Sequence, residues 1–123
     1  MLSRNFSEEE FVCRCGHCHW SRAQSGLVVP ELVVGLQRAR DALGKPIIVT
    51  SGRRCVEHNR VVGGVYGSYH ISGMAADVKA DDMNALLEEL LDVHEFRYIE
   101  AHRRYIHVDV GQVRRIRFVD KRN

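Results

Sequence analysis

The chain has 123 residues, 45% of them hydrophobic, with 18 Lys plus Arg against 16 Asp plus Glu and a net charge of +2. That length reads as one compact domain over 1–123, large enough to build a core without disulfide staples. The near-balanced charge excludes a dedicated nucleic-acid binder, and no apolar run approaches the ~20 residues of a membrane span, so no stable membrane insertion is expected.

In chain order, Ser7 and Glu10 are spaced as a capping box and predict a helical start at 7–10. Residues 13–25, rich in Cys, His, Gly and Ser, predict a loop. Over 30–43, Leu32, Leu36, Ala39 and Leu43 share one stripe at helical spacing. Pro30 suits the first turn of that helix and Gly44 its end. Residues 46–50 read as a short buried strand, ended by Ser51-Gly52. A short helix over 56–62 stops at Gly63-Gly64, an irregular stretch covers 67–76, and a strand covers 77–79. Asp81 is expected to cap a helix over 82–91 whose inner face carries Met83, Leu86, Leu87 and Leu90. Strands follow at 97–101, 105–110 and 114–119. This order predicts an α+β fold, a small antiparallel sheet flanked by helices.

Three polar residues lie where apolar ones would be expected. His70 sits in the irregular stretch, Asp77 opens a strand beside Ala75, Ala76 and Val78, and His107 lies between Ile106 and Val108. Two histidines and a carboxylate suffice for a catalytic zinc, with a fourth position left for water. Gly73 and the small Ala75 and Ala76 let the backbone turn tightly enough to bring His70 and Asp77 together. By spacing alone the plainer reading competes: a strand histidine is more often a hydrogen-bonded structural residue than a ligand.

A second cluster is Cys13-x-Cys15-x-x-Cys18, with His17 and His19 beside it. A structural zinc needs four ligands, so a histidine or Cys55 would have to complete the set. Reduced thiols in a loop, or a disulfide formed after export, are the alternatives. No cysteine lies in a strand-to-helix nucleophile setting. His58 and His94 read as surface residues, His94 at a helix C-terminal end.

The segments Ser51-Gly52-Arg53-Arg54, Asn59, Gly63-Gly64, Ser68-Tyr-His70, Gly73, Ala75, Asp77 and His107-Val-Asp109 occur in an order that resembles the zinc D-Ala-D-Ala carboxypeptidases and related phage endolysins. The most specific part is S-x-H-x-x-G-x-A-x-D, and the likeness runs from about 6 to 110. The resemblance implies the fold shared with the Hedgehog signalling domain, a catalytic Zn2+ held by His70, Asp77 and His107, and peptidoglycan stem peptides as substrate. It also implies an arginine near the substrate carbonyl, Arg54 in preference to Arg53, and a substrate contact at Ser68. Many relatives keep a carboxylate three residues before the last ligand; here Arg104 stands there. His102, five residues before His107, is therefore the expected acid or base, with Glu100 and Asp109 as alternatives and Asp109 also placed to orient a ligand.

The expected function is zinc-dependent hydrolysis of a peptide bond in peptidoglycan, by a carboxypeptidase or an endolysin-like endopeptidase acting as a monomer. The alternatives are a catalytically weakened module that binds cell wall or serves in a virion, and, more weakly, a zinc-ribbon-like regulator built on the cysteines. A polar N-terminus without a signal peptide predicts a cytoplasmic product that reaches the wall after release. The basic residues Arg103, Arg104, Arg114, Arg115, Arg117, Lys121 and Arg122 read as a solvated face, or as one drawn to anionic wall polymers.

Overall fold

The computed structural model describes residues 1–22 and 28–119. The early capping box forms as expected: the Ser7 N–H donates to Glu10 Oε2 at 2.8 Å and the Glu10 N–H returns to the Ser7 carbonyl. It opens only one 3-10 turn, Glu8–Phe11, which buries Phe11. Helix α1, Pro30–Leu43, begins with its proline and ends where Gly44 takes φ 71° and donates to the Arg40 carbonyl. Helix α2 is Val56–Val61 and helix α3 is Met83–Leu91. The cap of α3 is Asp82, whose carboxylate accepts from the Ala85 N–H at 3.0 Å, and not Asp81 as the sequence reading had it. The two acids are adjacent, and only the bond to the third residue on distinguishes them.

The strands are β1 Ile48–Ser51, β2 Ala75–Lys79, β3 Tyr98–Ala101, β4 Ile106–Asp109 and β5 Arg115–Phe118. They form one sheet in the order β1-β2-β4-β3-β5. Three pairings are antiparallel, but β3 and β5 run parallel, so the sheet is mixed and not purely antiparallel. The reason is geometric. Strand β4 already has β2 on one side and β3 on the other; the chain reverses after β4 and pairs with the outer edge of β3, whose direction it then shares. Strand β1 is also less buried than its apolar run implied, because it is an edge strand with Val49 inward and Ile48 exposed.

Side chains alternate across the sheet. Ala76, Val78, Ile99, Ile106 and Val108 join Leu32, Leu36, Ala39, Leu86 and Leu90 of α1 and α3, with Phe6 and Phe11, in one core. Met83, Leu87 and Leu43 pack at its margin. The helices thus cover one face, and the chemistry lies on the other. Arg103, Arg104, Arg114, Arg115 and Arg117 are exposed, while Lys121 and Arg122 lie outside the described residues, as do residues 23–25 of the predicted loop. Among the described residues no helix is long and apolar enough to cross a membrane.

Candidate active site

The strand register builds a polar row across the sheet. Ser51 pairs with Asp77, Asp77 with His107, His107 with Glu100, and Glu100 with Arg117. Asp77, His107 and Glu100 sit on the face opposite the core, because the flanking residues Val78, Ile106, Val108 and Ile99 point into it. His70 enters this row from the loop between α2 and β2. Its Nδ1 lies 2.8 Å from the Gly52 carbonyl, which accepts the ring proton and leaves Nε2 turned to Asp77 Oδ1 at 3.2 Å. On the other side His107 Nδ1 lies 3.1 Å from the same oxygen, while its Nε2 is 2.8 Å from Asp109 Oδ2.

These three donors fit a zinc ion. His70, Asp77 and His107 each offer a ligand atom, all within 4.8 Å of one another. Zinc bonds of about 2.0–2.2 Å in a tetrahedron set neighbouring donors roughly 3.4 Å apart, close to the two spacings around Asp77 Oδ1. The outward nitrogens are already held, His70 by a backbone carbonyl and His107 by a carboxylate, the usual way a protein orients imidazole toward a metal.

Without the ion the cluster is strongly polarised. Burial pushes the Asp77 carboxyl up, but hydrogen bonds and charge from His107 and His70 outweigh it and hold the group well below the usual carboxylate range. Burial alone would lower His107; its bonds to Asp109 and Asp77 raise it instead to about 9. The free site therefore carries a protonated His107.

Arg54 fixes the other Asp77 oxygen. Its Nη2 donates to Asp77 Oδ2 at 3.1 Å, Nη1 to Asn59 Oδ1 at 3.0 Å and Nε to Ser51 Oγ at 3.1 Å. Arg53 turns elsewhere, donating to the Ile71 carbonyl and lying 3.8 Å over the Trp20 ring. Asn59, buried, also donates to the Val65 carbonyl. Gly64 completes this clamp by having no side chain: a Cβ there would lie 2.1 Å from Asn59 Oδ1 and 2.8 Å from Arg54 Nη1. Ser68 is buried and accepts the His70 N–H at 3.2 Å, so it shapes the turn that presents His70 and also lines the pocket.

The pocket over the row has a volume of about 370 Å3. His102, Glu100, Tyr98, Tyr105 and Arg117 line the side away from Arg54. His102 Nε2 lies 2.7 Å from Glu100 Oε1, and its ring stacks on Tyr105 with centroids 4.3 Å apart. Glu100 Oε2 accepts from the Tyr98 hydroxyl at 2.8 Å and from Arg117 at 3.2 Å. Burial raises the Glu100 carboxyl, but the bonds from Tyr98 and His102 prevail and keep it below its ordinary value. Arg104 is exposed in the turn between β3 and β4. Sequence alone gives no role to Tyr98, Tyr105 or Asn59 and places Arg117 only on a basic surface, whereas it lines the pocket and bonds Glu100; Tyr98 is findable from its place two residues before Glu100 on one strand face.

A family model for peptidase M15 matches residues 4–109. The chain belongs to the peptidase M15 family. No curated protein matches it. Membership makes this M15 chain a peptidase by family, a hydrolase of the zinc D-Ala-D-Ala carboxypeptidase group that its motifs resemble. The matched span contains every residue of the polar row except Arg117. In this M15 domain the four cysteines form a separate cluster.

Proposed function

We propose that the chain is a zinc peptidase that hydrolyses a peptide bond in peptidoglycan stem peptides, as a D-Ala-D-Ala carboxypeptidase or an endolysin-like endopeptidase. The observation that carries this reading is the convergence of His70 Nε2, Asp77 Oδ1 and His107 Nδ1 beneath a pocket with Arg54 on one side and the His102–Glu100 pair on the other. A zinc ion held there would polarise the scissile carbonyl and make water acidic enough to act as a nucleophile near neutral pH.

The chain's own groups supply the rest. Arg54 positions Asp77 and, through the second N–H of Nη1 or Nη2, is available to a carbonyl oxygen that gains charge during attack. Glu100, kept ionised, accepts a hydrogen bond from His102 Nε2–H and so leaves Nδ1 as the basic nitrogen. His102 can then accept a proton from attacking water and return it to the leaving amine. Asp109 orients His107, and Ser68 holds the turn under His70. The exposed Arg104 provides no carboxylate base, which is the feature favouring a wall-binding module that no longer cuts.

Incubation of the purified, zinc-loaded protein with peptidoglycan from several wall types, with fragments read by mass spectrometry, decides between them. Peptide fragments that vanish with chelator and in His107→Ala support the peptidase, and their masses identify the bond. Binding to sacculi without cleavage supports the module.

A further inference from the structure

The four cysteines lie outside the pocket, and nothing in the proposed chemistry uses them. Cys13, Cys15, Cys18 and Cys55 are all free, and their Sγ atoms lie within 4.8 Å of one another although Cys55 is remote in sequence. We propose that these four sulfurs form a closed tetrathiolate zinc site, which ties the N-terminal segment to the turn that carries Arg54.

Three features of the geometry support a metal. A tetrahedral zinc with bonds of about 2.3 Å sets its sulfurs roughly 3.8 Å apart, within the observed cluster. The turn Cys15-Gly16-His17-Cys18 is shaped to wrap an ion: Gly16 takes φ 81°, and Cys15 Sγ accepts N–H bonds from His17 at 3.5 Å and Cys18 at 3.3 Å. Cys13 Sγ accepts from the Cys55 N–H and Cys55 Sγ from the His58 N–H, each at 3.3 Å. Backbone N–H groups aimed at sulfur stabilise the negative charge of a metal-bound thiolate. With all four positions taken by protein, no place remains for water, which marks a structural and not a catalytic ion.

The placement gives the ion a purpose. Residues 51–55 serve the active site from behind: the Gly52 carbonyl orients His70, and Arg54 holds Asp77. The N-terminal segment backs the same turn. The Arg53 N–H donates to the Phe11 carbonyl at 2.8 Å, and Gly52 passes so close to Phe11 that a Cβ would lie 2.6 Å from its Cα. An ion shared by Cys13, Cys15, Cys18 and Cys55 cross-links the two segments of this support next to Arg54.

Metal content of the reduced 123-residue chain tests the proposal independently of the peptidase reading. Two zinc equivalents are expected in the wild type, one in His70→Ala and one in Cys18→Ser. Cobalt replacement should give intense sulfur-to-cobalt charge-transfer absorption in the wild type and in His70→Ala. Should Cys18→Ser fail to fold, titration of the wild type with an organomercurial serves instead, releasing one equivalent of metal as the four thiols react. A single ion that is retained in His70→Ala and shows sulfur charge transfer would support this site while removing the catalytic one. A single ion lost in His70→Ala, cobalt spectra without sulfur charge transfer, or an intact mass showing the cysteines paired as disulfides after reduction and zinc loading overturns it.

Discussion

Arg54 and Asp77 are joined at 3.1 Å through only one of the two carboxylate oxygens. The other oxygen stays between His70 and His107, so the arginine would set the angle at which Asp77 meets the proposed metal. Both partners are largely shielded from solvent, with side-chain exposures of 12% and 9%. Removing one member of such a pair leaves an uncompensated buried charge.

Arg54→Lys should therefore weaken zinc binding although it keeps the charge. A lysine cannot span Ser51, Asn59 and Asp77 with one ammonium. Loss of a residue that orients a metal ligand typically costs about 10–100-fold in metal affinity. Competition with a chelator of known affinity measures it; an unchanged affinity would remove Arg54 from the role of holding Asp77.

The elements that the sequence made legible are those with local signals. Pro30 and Gly44 bracket α1 because each acts within one turn, and the alternation of Ile106, His107, Val108 and Asp109 assigns the faces of β4. The polar row is legible for the same reason, since His107 and Asp109 interrupt an apolar strand. What sequence could not supply is pairing. Nothing local says that Glu100 stands opposite His107, that β5 joins β3 in parallel, or that Cys55 closes on Cys13. The choice between Asp81 and Asp82 as cap turns on a single side-chain bond. Asp82→Ala should cost about 1 kcal/mol of stability and Asp81→Ala close to nothing, read from urea unfolding midpoints; equal losses would dismiss Asp82 as the cap.

Zinc uptake should be coupled to pH through His107. In the free protein its imidazole is raised from 6.5 to about 9 by Asp109 and Asp77, against the effect of burial. At neutral pH the incoming metal must displace that proton. Apparent affinity should then rise by roughly tenfold per pH unit until about pH 9, a proton release visible by calorimetry in buffers of different ionisation enthalpy. The same shift fixes the sign for the metal-free fold. A folded-state value above the unfolded one contributes stability that is complete below about 6.5 and is lost as pH rises through about 9. Chelated protein should melt at lower temperature at the alkaline end of that window. Asp109→Asn removes one of the two charges raising His107 and should shift both effects to lower pH. No change in Asp109→Asn would mean that Asp109 does not hold the His107 proton.

His102→Gln separates chemistry from metal binding. His102 belongs to the polar face but not to the proposed zinc ligands: it bonds Glu100 and stacks on Tyr105. Glutamine can still donate to Glu100 yet has no basic nitrogen to exchange a proton with water or the leaving amine. Zinc content and thermal stability should stay near wild type while kcat on wall peptides falls by about 10²–10⁴, the usual contribution of a positioned acid or base. A variant that keeps full kcat would pass the proton-transfer role to Glu100, whose carboxylate faces the same pocket, and Glu100→Gln would then carry the loss instead.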